Sequence, residues 1–209
     1  IPNPQWDIGS SDPEKRKLGL DFLKECIDKT AAVGATMFSG MGYVLPNKPV
    51  PPGPASEMEW EYCTAAMKQV AKYAQDFGIT VGIEPASRFA NHLVNTADQA
   101  LKFVRMVDEP NVIIHFDSFH MCYEERNFGD AIRKVGDKLG YFHLCGNDRG
   151  RPGYDDIINW DEVFEAFKEV GFDGYAGFEG FDMTCDSIYR DIIGDPVQFA
   201  KDSLEFTLE

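Results

Sequence analysis

Five short apolar runs, each followed by a stretch of helical spacing, constrain this chain more than anything else in it. The runs are "ATMFSG", "TVGIEP", "NVIIHFD", "LGYFHLC" and "YAGFEGF". A leading helix is expected over "SSDPEKRKLGLDFLKECIDKTAAVG", with Ser11 or Asp12 as N-cap, Pro13 in the first turn and Gly34 at the end. A Pro- and Gly-rich loop, "GYVLPNKPVPPGPAS", follows the first strand and carries Tyr43, Val44 and Leu45. The next helix, "EMEWEYCTAAMKQVAKYAQDFG", stops at Gly78, and later helices are expected at about Thr96–Met106, Phe128–Leu139, Asp161–Val170 and Pro196–Leu208. Strand alternating with helix at this spacing means right-handed βαβ units and a parallel α/β sheet. An open doubly wound sheet and part of an eight-stranded barrel both fit that count, and the polar residues decide between them.

Four of the five strands finish on a side chain able to bind metal or carry a proton: Glu84, Asp117, His143 and Glu179. Strand alternation puts Gly82 with Glu84 on one face, His115 with Asp117, Tyr141 and His143 with Cys145, and Gly177 with Glu179. The opposite faces carry Ile83, Phe116, Phe142 and Phe178, all apolar, as a covering layer of helices requires. A single polar residue at a strand end is as readily a helix cap or a water contact as a functional group. Four in phase favour the barrel, in which all strands open on one face where active sites are built.

Three carboxylates and an imidazole form an oxygen-rich set that suits a divalent ion such as Mn2+, Mg2+ or Co2+ better than the thiolate sites of zinc or copper. Without a cation, such crowded anions force one carboxyl to take up a proton. His120 lies just beyond Asp117, Arg88 follows Glu84, and Arg149 and Arg151 lie in "GNDRGRPG" after His143. An arginine there fixes a substrate oxygen or is a solvated loop charge. His115, one layer below Asp117, reads as a core or supporting histidine, and His92 as structural.

The formal charge of −15 speaks against nucleic acid and anionic membrane as partners, since both need a basic footprint. Nothing in the 209 residues approaches a membrane span. The five cysteines are scattered, with no C-x-x-C pair, as in reduced thiols of a cytoplasmic protein.

The stretches "GIEPASRFANHLVNTADQAL", "IIHFDSFHMCYEE", "GYFHLCGNDRGRPG" and "FDGYAGFEGF" together resemble the ketose 3-epimerases, the family of D-tagatose 3-epimerase and D-allulose (D-psicose) 3-epimerase, within the xylose isomerase-like barrels. The resemblance runs from about Asp7 to the C-terminus. It implies a (β/α)8 TIM barrel, of which this chain carries about the C-terminal five strand–helix units as a single partial catalytic domain over residues 1–209. The start at Ile1 fits the expectation that the first three strands lie upstream.

By motif, the family's metal ligands fall on Glu84, Asp117, His143 and Glu179, with Mn2+ the first expectation and Co2+ or Mg2+ next. The same resemblance makes Glu84 and Glu179 the catalytic acid–base pair and His120 and Arg149 the substrate contacts. The implied reaction inverts C3 of a free ketose by deprotonation and reprotonation through a metal-stabilised cis-enediolate, in a cytoplasmic homo-oligomer, dimer or tetramer. One departure bears on the sugar: the family commonly has "NRFE" where this chain has Ser87-Arg88-Phe89-Ala90. Three readings stay open: the epimerase, an aldose–ketose isomerase or inosose dehydratase-like lyase on the same metal cup, and a truncated barrel without turnover.

Overall fold

The computed structural model describes residues 3–50, 52–185 and 188–208. The chain falls into two compact units, residues 1–115 and 116–209.

The first unit opens with helix α1 (Pro13–Ala32), where Asp12 is the N-cap and accepts from Glu14 N at 2.9 Å. Strand β1 (Met37–Gly40), helix α2 (Glu57–Gln75), strand β2 (Thr80–Ile83) and helix α3 (Ala97–Val107) follow. Strand β3 (Val112–Asp117) contributes all but its last two residues to this unit. The three strands pair in parallel, with Ser39 opposite Gly82 and Gly82 opposite Ile113. Ser56 caps α2, and a reciprocal Thr96–Gln99 capping box starts α3, so both helices satisfy orphan N–H groups at their entry.

The loop after β1 is held inward by Tyr43. Its hydroxyl is fully buried and donates to the carbonyls of Glu84 at 2.7 Å and Val94 at 3.1 Å, while Asn91 Nδ2 donates to it at 3.2 Å. Burial comes first, and then the Glu84 carboxylate, in raising the phenol well above its ordinary pKa. A second tie is ionic. Lys48 Nζ lies 2.9 Å from Asp7 Oδ2 and 2.7 Å from Glu59 Oε1, and His92 Nε2 lies 3.1 Å from Glu59 Oε2. His92 thus joins the ionic cluster built around Glu59.

The second unit begins with helix α4 (Ser118–Glu124), which sequence spacing does not show. Helix α5 (Phe128–Val135) ends at Gly136, a 3-10 turn spans Gly136–Lys138, and Leu139 opens strand β4 (Leu139–Leu144). The expected helix to Leu139 is therefore too long, because Gly136 breaks it and the apolar Leu139 is claimed by the strand. Helix α6 (Trp160–Val170), strand β5 (Tyr175–Phe178) and helix α7 (Pro196–Leu208) complete the unit. β4 and β5 pair in parallel with His143 opposite Gly177.

Aromatic packing supports these strands from the helix side. Phe142 meets Phe116 edge-on at 6.5 Å and Phe167 at 5.0 Å, and Trp160 meets Phe206 at 5.5 Å. Of the four apolar residues expected beneath the helices, Ile83, Phe116 and Phe142 are buried and Phe178 is half-buried.

Candidate active site

In the second unit, five of the sequence-predicted residues come together around the end of β3. Asp117 is the last residue of β3, His143 is the fifth residue of β4, and Glu179 immediately follows β5. Ligand atoms of these three lie within 4.8 Å of one another. His143 Nδ1 is 3.2 Å from Asp117 Oδ2 and 3.3 Å from Glu179 Oε2.

Arg149 joins them from the loop after β4. Its Nη1 donates to Asp117 Oδ2 at 2.6 Å and to Glu179 Oε2 at 2.5 Å, and its Nη2 lies 3.3 Å from His120 Nε2. The guanidinium carbon stands 4.3 Å from the ring centre of Phe119 and 4.9 Å from that of Phe181, so two aromatic faces flank the charge. The Arg149 backbone has φ +72°, a left-handed conformation that a non-glycine residue adopts at a cost, and its N–H donates to Gly146 O at 3.0 Å.

The two oxygens of Asp117 have separate tasks. Oδ1 accepts from the N–H groups of Phe119 at 2.8 Å and His120 at 3.3 Å, capping α4, while Oδ2 faces His143 and Arg149. The plain helix-cap reading of this acid therefore holds at Oδ1, and Oδ2 is left to face the polar cluster.

Charge follows geometry. Burial alone would raise the Asp117 carboxyl, but the His143 hydrogen bond and the Arg149 charge outweigh it and hold the group well below the ordinary range. Burial likewise opposes protonation of His143, yet Asp117 and Glu179 raise it to about 9. His120 goes the other way: burial, helped by Arg149, lowers it to about 4. Burial pushes the Cys145 thiol up to about 12, so it stands protonated beside the cluster near pH 7.

Sequence reasoning missed three supporting groups. Tyr141 OH lies 3.2 Å from His143 Nε2 and fixes the ring from behind; sharing a strand face with His143 was its only signal. Ser118 Oγ donates to Cys145 O at 2.7 Å and accepts from Cys145 N at 2.9 Å, tying the start of α4 to the end of β4. Phe181 lies in the loop after β5, and its only signal was its place two positions after Glu179 in the run "YAGFEGF".

Glu84 belongs to the first unit, immediately after β2. It is buried, accepts from Tyr43 through its carbonyl, and has Oε2 3.9 Å from His115 Nδ1. Arg151, weighed with Arg149 as an oxygen contact, turns instead to Asp202 at 2.8 Å and stacks over Tyr154 at 4.2 Å.

Two carboxylates and an imidazole, with one cationic group already shared between the carboxylates, are donors suited to a hard or borderline divalent ion. The residues present fit such an ion.

The chain belongs to the xylose isomerase-like TIM barrel family, which it matches over residues 1–209. Its relatives place it among the ketose 3-epimerases. It is 30% identical to the L-ribulose 3-epimerase of Methylomonas sp. (strain DH-1) over 210 residues, covering 96% of this chain and 72% of that protein. It is 34% identical to the ketose 3-epimerase of Arthrobacter globiformis over 178 residues, covering 85% of this chain but only 61% of the relative. Among solved structures, the D-allulose 3-epimerase from Methylomonas sp. in complex with D-allulose matches at TM-score 0.92 and 29% identity, over 99% of this chain and 73% of that one. Among the described residues, no helix is long and apolar enough to cross a membrane.

Proposed function

We propose that this chain carries the catalytic centre of a metal-dependent ketose 3-epimerase acting on a free ketose. The observation that carries the reading is the meeting of Asp117, His143 and Glu179 beside Arg149 and His120, in a chain that belongs with the ketose 3-epimerases. Glu84, Asp117, His143 and Glu179 are the proposed ligands. These residues would hold a divalent ion, Mn2+ first and Co2+ or Mg2+ next, which would supply positive charge to offset the negative charge that develops on the sugar during the reaction.

The chain's own residues do the rest. One of Glu84 and Glu179 takes the C3 proton on one face of the sugar, and the other returns a proton from the opposite face, through a cis-enediolate. Such proton transfer contributes ~10²–10⁴-fold, so positioning and charge must supply the remainder. His120, neutral near pH 7 because burial keeps its pKa at about 4, presents a ring nitrogen to a hydroxyl without adding charge. Arg149 Nε is buried with no hydrogen-bond partner among the described residues, which supports a donor that completes its set on a substrate oxygen. The cytoplasmic homo-oligomer, dimer or tetramer, rests on the family resemblance.

The test is product analysis in D2O with Mn2+, using D-fructose, D-allulose, D-tagatose and L-ribulose. The expected product is the C3 epimer carrying deuterium at C3. Formation of an aldose moves the reaction to 1,2-isomerisation, and loss of water moves it to a lyase. One tightly held ion per chain with no turnover leaves a binding barrel.

A further inference from the structure

We infer that Ser39 and His115 are a positioning pair for Glu84, a role that rests on the proposed reading of Glu84 as ligand and acid–base group. His115 is 2% exposed, on the inward face of β3, and its Nδ1 shares a 2.9 Å hydrogen bond with Ser39 Oγ. The partners come from β1 and β3, so the bond must cross β2. It crosses at Gly82, the register neighbour of both Ser39 and Ile113. A Cβ on Gly82 would overlap Ser39 Oγ and stand 2.7 Å from Ser39 Cβ, so only glycine leaves the serine this path.

Two residues beyond Gly82, on the same face, is Glu84. The anchored imidazole places Nδ1 3.9 Å from Glu84 Oε2. That distance is too long for a hydrogen bond but close enough for the ring to wall off one side of a flexible carboxylate. A glutamate that must meet both an ion and a sugar proton gains from such a wall, because misplacement by even 1 Å is costly at a reacting centre.

The second unit repeats the construction. Gly177 lies two residues before Glu179, and a Cβ there would stand 2.6 Å from the Tyr141 hydroxyl. That hydroxyl holds His143, whose other ring nitrogen lies 3.3 Å from Glu179 Oε2. Each glutamate thus follows a Gly-x-Glu step in which glycine admits a hydroxyl from the neighbouring strand, and the hydroxyl holds a histidine against the glutamate. The two instances use different strands and different hydroxyl residues, which makes the first more than a core contact.

The test uses the full chain loaded with Co2+, reading its visible absorption and affinity beside kcat and KM for C3 epimerisation. Ser39→Ala and His115→Gln should each weaken Co2+ binding and lower kcat by about 10-fold with KM little changed, the usual cost of losing a support behind a ligand. His115→Asn, whose amide takes the place of Nδ1, should stay close to the parent, whereas the longer His115→Gln should not. Gly82→Ala, which leaves every polar group present, should behave as Ser39→Ala; if it fails to fold, the serine variant carries the test alone.

If Glu84→Gln alters the Co2+ spectrum while Ser39→Ala and His115→Gln leave spectrum and kcat at parent values, the positioning role is overturned. Equal losses in His115→Asn and His115→Gln also overturn it. If Glu84→Gln itself changes neither spectrum nor turnover, the reading of Glu84 fails first and takes the pair with it.

Discussion

Arg149 Nη1 stands 2.6 Å from Asp117 Oδ2, the same oxygen that lies 3.2 Å from His143 Nδ1. The guanidinium therefore draws on an atom proposed to bind the ion, and on Glu179 Oε2 as well. Arg149→Met should raise Mn2+ affinity by about tenfold, roughly 1.4 kcal/mol, while sugar turnover falls. Calorimetric titration of Mn2+ checks the first part, and weaker Mn2+ binding would show that Arg149 organises the carboxylates instead of competing for them.

Glu179→Gln keeps the side chain's size and removes its capacity to carry a proton. Exchange of the C3 proton should fall by ~10²–10⁴-fold. Ketose binding, followed by equilibrium dialysis, should persist. Substantial deuterium incorporation by this variant would remove Glu179 from the acid–base pair.

His120 gives a pH signature. Its folded pKa of about 4 lies below the ordinary imidazole value, so between the two the unfolded chain binds the proton more strongly. Stability from this group is accordingly lost as pH falls from about 6.5 to 4, by up to about 3 kcal/mol. Urea unfolding at stepped pH should show a flatter acid limb in His120→Gln than in the parent. A parallel pair of curves would mean that His120 protonates without penalty.

Tyr43→Phe removes a hydroxyl shared by the Glu84 and Val94 carbonyls and Asn91, so each of these groups loses one hydrogen bond. The expected loss is about 1–3 kcal/mol, seen as a lower thermal midpoint. An unchanged midpoint would mean that the loop does not depend on this tie.

The parallel strands and the phase of their polar residues were legible because alternation is local: Glu84, Asp117, His143 and Glu179 each declare their face within a few positions. Helix α4 was not legible, because its cap is the same Asp117 that closes β3, and seven residues hold too few apolar positions for a period to show. The Leu139 error has a plain cause, since an apolar residue just past a helix fits the helical stripe unless Gly136 is given priority. Arg149 was read as a substrate contact or a loose charge. Its reach to Asp117 and Glu179 depends on a left-handed backbone at its own position, which no residue pattern in "GNDRGRPG" announces.

The division of labour between the oxygens of Asp117 also limits how this acid can be replaced. In Asp117→Asn one end of the side chain becomes a donor, and it must face either the N–H groups of α4 or the guanidinium of Arg149, both donors themselves. Whichever way the amide turns, one hydrogen bond becomes a repulsion. Reactivity and local folding are thus soldered at one atom pair. A redesign of this centre for another ion or sugar therefore has to keep both oxygens of Asp117 as acceptors.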